Sequence, residues 1–183
     1  MVALSFLNPD FEHGFLAGKE ELFNGFWFPS GLYLHAFTAP VTLFLVSLLV
    51  LYRIEKYVVI HRFLGRSALI LLFIVVIPSG WVLSYFAMGG SLGKFAFFVL
   101  TSYTAFAAFQ GYTAIRNKHT RLHRYWMLEV LLLLSSAIVL RLLLVLFQKQ
   151  FAWFGDTPYA TAAILSWVPS IVLMKLLKRT ISE

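Results

Sequence analysis

Three histidines stand where their chemistry could matter. His61 and His123 each precede an arginine, in the stretches "HRFLGR" (61–66) and "RNKHTRLHRYWM" (116–127), and each opens a long apolar run. His35 lies inside an earlier apolar run, five residues ahead of Pro40. The chain has five histidines and no cysteine, which excludes disulfides, thiolate ligation and iron–sulfur chemistry through cysteine. Two neutral imidazoles at equal depth on facing membrane helices are the geometry that holds a b-type haem by its two axial positions. Gly65 falls one turn after His61 on the same face, leaving room for a flat macrocycle or a neighbouring helix. Arg62, Arg66, Arg121 and Arg124 carry the planar fork that neutralises propionates bidentately.

A second chemistry is metal chelation. His119 lies one turn before His123, and an H-x-x-x-H pair can hold a transition metal with His61 as third ligand. That pair lacks the adjacent glutamate of a zinc-protease helix. Set against both is a plainer reading: histidine and arginine at the end of a membrane helix touch lipid phosphates and bind nothing else.

The elements that would carry these residues follow from hydropathy. The 183 residues are 60% hydrophobic and 13% charged, with a mean hydropathy of +0.81, far from a soluble composition. The apolar blocks are long enough to cross a bilayer as helix, which takes about 20 residues. Five spans are expected, at Leu32–Tyr52, Ser67–Met88, Phe95–Ile115, Trp126–Phe147 and Tyr159–Met174. The fold class is therefore an all-α polytopic membrane bundle, with a four-helix core and one added helix. Pro78 and Gly80 should kink the second span, Pro40 the first, and Pro169 should bend the fifth, whereas Pro158 suits a first turn. Residues 1–31 read as an outer-face amphipathic segment, 32–148 as the four-helix core, and 149–183 as an outer loop, the fifth helix and a basic tail. The opening "MVALSFLNPDFEHG" lacks the basic region and apolar length of a signal peptide.

Eleven of the fifteen lysines and arginines fall on one side of this topology, which by the positive-inside rule puts the N-terminus outside and the C-terminus in the cytoplasm. The net charge of +7 is thereby explained as topology and headgroup contact, and nucleic acid is not an expected partner. Trp27, Tyr33, Trp153 and Tyr159 read as one aromatic belt, and Tyr52, Tyr57, Tyr112, Tyr125 and Trp126 as the other. Within the spans, Glu129 is too short to snorkel and should pair with Arg66, Arg121 or Arg124; the sharper alternative is a proton-relay or quinone-site carboxylate. Arg141 can snorkel. The third span presents Thr101, Ser102, Thr104 and Gln110 with Ala105, Ala108 and Gly111, a pattern of small residues that lets helices approach.

Taken together, "HRFLGR", "PSG" at 78–80, "GG" at 89–90, "AIRNKHTRLHRYWM" and "VLR" at 139–141 resemble an uncharacterised family of bacterial predicted membrane proteins. Its pattern runs HRxxGR, SG, GG, AxIR, HRxWMxR and LR. The resemblance covers the first four spans; it departs at Glu129, where the family pattern has arginine. It implies a multi-pass protein of the bacterial cytoplasmic membrane, with His35, His61 and His123 at the family's histidine positions. Their layout looks distantly like that of the four-helix b-type cytochromes. Three function classes follow: a haem b or quinone-associated redox subunit built on His61 and His123; an accessory subunit packed in the bilayer against other membrane protein subunits; and a transporter or histidine-metal enzyme.

Overall fold

A computed structural model describes residues 20–52, 56–151 and 155–182. A 3-10 turn at Glu20–Asn24 leads into α1 (Trp27–Leu51). The other helices are α2 (Val58–Tyr85), α3 (Gly90–Arg116), α4 (Thr120–Phe151), α5 (Asp156–Leu165) and α6 (Val168–Ser182). No strand occurs among the described residues. Five helical spans are long and apolar enough to cross a membrane, the last being α5 and α6 together. The expected number of spans is therefore found, and each helix begins before the apolar run that announced it. His61 and Arg62 in "VVIHR" and the polar "TRLHR" interrupt the apolar pattern while the helix continues, so His61 and His123 lie inside α2 and α4 rather than ahead of them.

The four long helices pack as a ring: α1 on α2, α2 on α3, α3 on α4, and α4 back on α1. This order sets α2 and α4 diagonally across the bundle. α5 leans on α3 and α4, and α6 on α4, so the fifth span is an outrigger to the four-helix core. The seam of α3 is made by small residues, with Ala107 and Ala108 fully buried and Gly111 and Ala114 buried on the same side. At Gly111 an added Cβ would meet the Met127 side chain and stand 3.3 Å from the Trp126 Cβ, so the glycine lets α4 lie close. Large apolar side chains point outward instead, including Phe63, Ile74 and Leu142, as lipid contact requires.

Proline acts differently in each span. α1 runs through Pro40 without interruption. In α2 the expected kink is a π-turn at Leu72–Val76, where the Ile77 amide bonds the Leu72 carbonyl five residues back. Pro78 has no amide for the Ile74 carbonyl, and the wider turn absorbs the mismatch. In the fifth span the helix breaks at Ser166–Trp167, just ahead of Pro169.

Basic residues collect at one end of the bundle: Lys56, Arg62, Arg66, Arg116, Lys118, Arg121, Arg124 and Lys175. The opposite end carries Glu20, Glu21, Lys94, Lys149 and Asp156. The α2–α3 turn lies there, with Gly89 at φ +88° and its amide donating to the Asp156 Oδ1 at 3.1 Å. An added Cβ at Gly89 would meet the backbone nitrogen of Ala160 at 3.1 Å. Gly89→Ala should therefore cost roughly 1–3 kcal/mol, from backbone strain and lost packing of α5. Thermal unfolding in detergent checks this, and an unchanged midpoint would mean that the turn is not pinned against α5.

Candidate functional site

His61 and His123 are each the fourth residue of their helix, α2 and α4. Because those helices start at the same end and lie diagonally, the two imidazoles share one depth at the basic end. Both are half-buried, and each lies within electrostatic reach of the other. His123 Nδ1 is 2.8 Å from the Gly111 carbonyl. A carbonyl only accepts, so Nδ1 carries the proton and Nε2 keeps its lone pair. A backbone carbonyl on the far nitrogen is the usual orienting contact of a ligating histidine. The Nδ1 of His61 is buried and has no hydrogen-bond partner. At Gly65, one turn on, an added Cβ would meet nothing nearer than the Leu49 Cδ1 at 4.0 Å. Packing of protein on protein therefore does not require this glycine. Arg62, Arg66, Arg121 and Arg124 are exposed around the same end, and Arg124 also acts on His123 electrostatically.

The structure does not bring His119 into this pair. It is exposed and precedes α4, its carbonyl accepting the His123 amide at 3.0 Å. Among the described residues no group of three or more His, Asp or Glu is placed to hold a metal ion, so the expected triad of His61, His119 and His123 is not assembled.

His35 occupies a separate position nearer the opposite end. Its Nδ1 lies 3.0 Å from the Ser79 Oγ. The Ser79 hydroxyl donates back to the Val75 carbonyl at 2.6 Å, with the Val76 carbonyl at 3.1 Å. An added Cβ at Gly80 would stand 3.0 Å from Thr101 Cγ2 and 3.6 Å from His35 Cε1, so α1, α2 and α3 meet closely here. His35 therefore bonds the hydroxyl beside the π-turn and does not join His61 and His123. The position of His13 lies outside the described residues.

Glu129 is fully buried and accepts the Tyr103 hydroxyl at 2.7 Å; the Tyr125 hydroxyl bonds it as well. The expectation of arginine partners overlooked these tyrosines. Tyr125 is half-buried beside Glu129, and Trp126, expected in the interfacial belt, is buried in the core with its ring edge-on to Phe106. Tyr52 and Tyr57 are exposed, as a belt requires. The signal for Tyr103 was its place in the polar stripe of α3, nine residues short of the belt at Tyr112. Arg141 is exposed on the outside of α4 and donates to the Ala137 carbonyl at 3.1 Å.

These features define a polytopic helical membrane protein whose inward polar groups, among the described residues, include histidines, tyrosines, serines, threonines and the Glu129 carboxyl. The chain belongs to the family described as "predicted membrane protein (DUF2306)", whose model matches residues 32–178. No curated protein and no solved structure matches it.

The buried Tyr103–Glu129 contact yields a measurable coupling. A double-mutant cycle of Tyr103→Phe and Glu129→Gln, read by thermal unfolding in detergent, should return about 1–3 kcal/mol. A coupling near zero would show that the hydroxyl and carboxyl do not stabilise one another.

Proposed function

We propose that this protein is a membrane electron-transfer subunit in which His61 and His123 would hold one b-type haem at the basic end of the bundle. The observation that carries this reading is the His61–His123 pair itself. Two imidazoles sit at one depth on diagonal helices, His123 is oriented through Nδ1 by the Gly111 carbonyl, and His61 has a buried nitrogen that no protein group satisfies. Held between the two imidazoles, the haem would supply one-electron transfer.

The chain's residues would divide the work. His123 presents Nε2 at a fixed angle because Gly111 holds the other ring nitrogen. Gly65 leaves the face of α2 beside His61 clear of side chain. Arg62, Arg66, Arg121 and Arg124 compensate the negative charge of propionates at the membrane boundary. The basic end faces the cytoplasm of a bacterial cell under this reading, following the positive-inside rule.

The experiment is a dithionite-reduced minus oxidised spectrum of the purified protein. Wild-type protein from haem-replete cells should show b-type bands, the His61→Ala/His123→Ala variant should lose them, and His13→Ala should keep them. A colourless wild-type preparation, or bands that survive in the double variant, would overturn the assignment.

A further inference from the structure

We propose that the π-turn of α2, held by His35 and Ser79, sets the direction in which His61 points, making His35 and Ser79 positioning residues for the His61–His123 pair. The inference rests on the reading of that pair as a functional unit. It follows from helix geometry. Each residue of an α-helix advances roughly 100° around the axis. Eighteen residues separate His61 from Ser79, which in an unbroken α-helix amounts to five whole turns. The two side chains would then share a face. That face looks at α1, because Ser79 bonds His35.

The π-turn at Leu72–Val76 takes up one residue more than an α-turn does. Everything on its N-terminal side is rotated by about one residue's worth, roughly 100°. His61 thereby leaves the azimuth of Ser79 and takes that of Gly80. Gly80 faces the bundle interior, where a Cβ added to it would meet Thr101 of α3 at 3.0 Å and His35 of α1 at 3.6 Å. His61 is turned from α1 toward the interior, where the diagonal helix carries His123. The electrostatic contact between the two imidazoles agrees with that direction.

What keeps the extra residue in place is local. The Ser79 hydroxyl gives its hydrogen to the Val75 carbonyl, so the His35 Nδ1–H must be the donor in their shared bond. The carbonyls of Val75 and Val76, at the end of the wide turn, thus lie on the Ser79 hydroxyl of α2, and that hydroxyl is held in turn by the imidazole of His35 from α1.

The absence of native cysteines makes the test clean. In membranes, His61→Cys/His123→Cys should cross-link with a short bis-maleimide. Deleting Ile74, a lipid-facing residue of the π-turn, should return α2 to a continuous α-helix and abolish that cross-link. A Phe106→Cys/Trp126→Cys pair, between α3 and α4, should still cross-link and so certify the bundle. His35→Ala and Ser79→Ala should each lower the His61→Cys/His123→Cys yield, and Ser79→Thr, which keeps the hydroxyl, should restore it. An undiminished yield after the deletion, with the control pair intact, overturns the proposal. Where the deletion also loses the control pair, the His35→Ala/Ser79→Ala variant decides: an unchanged yield overturns it and a reduced yield supports it. Cross-linking needs no haem, so a chain that cross-links as expected but shows no b-type bands refutes the haem assignment and leaves the positioning role standing.

Discussion

A backbone carbonyl that loses its helical partner inside a bilayer has no water to turn to, and the polar architecture of this protein is organised around that fact. Most of its serine and threonine hydroxyls bond a carbonyl of their own helix, as at Thr42, Ser47, Thr104 and Ser135. Hydroxyls also sit beside the two prolines that interrupt spans. Next to Pro169, Ser166 and Ser170 donate to the carbonyls of Ala163 and Trp167. At Pro78 a π-turn takes up the missing bond, and the adjacent Ser79, donating to the Val75 carbonyl, is held by a group from another helix, His35. That difference separates a structural adjustment from one that couples two spans.

Bonds that cross between helices form a connected set around the ring. His35 and Ser79 tie α1 to α2, the Trp81 indole donates to Ser102 of α3 at 3.1 Å, and Tyr103–Glu129 and His123–Gly111 tie α3 to α4. In lipid the apolar effect does not drive helices together, so register depends on such polar contacts and on close approach at small residues. The ladder of small residues in α3 and the cross-helix bonds therefore reinforce each other. Gly111 serves both purposes, since the same missing Cβ that admits Met127 and Trp126 brings α4 near enough for His123 to reach the Gly111 carbonyl.

The spans were legible because hydropathy reports directly on which segments prefer lipid, and the shared end of His61 and His123 was legible because each stands near the start of an apolar run flanked by basic residues. Helix ends were less so: His61 and Arg62 interrupt the apolar pattern near the start of α2, the first turn of α4 is polar, and hydropathy falls before the helix does. The partners of the histidines were invisible, since Gly111 and Ser79 are chosen by helix azimuth and register. The π-turn alone shifts azimuth by about one residue's worth, roughly 100°, which no periodicity count across "LFIVVIPSG" would detect. Tyr125 and Trp126 were misjudged for a related reason. Their place beside a basic stretch resembles an interfacial belt, but an edge-on contact with Phe106 and a buried carboxyl draw them inward.

Glu129 gives the basic end its asymmetry. It is a fully buried carboxyl, set one turn and a half from His123, in a region otherwise ringed by exposed arginines. A carboxyl in such a place costs several kcal/mol of desolvation if ionised and is tolerated only with good donors. Tyrosine hydroxyls supply them without adding charge, and they come from two helices, so the carboxyl also fixes the α3–α4 register.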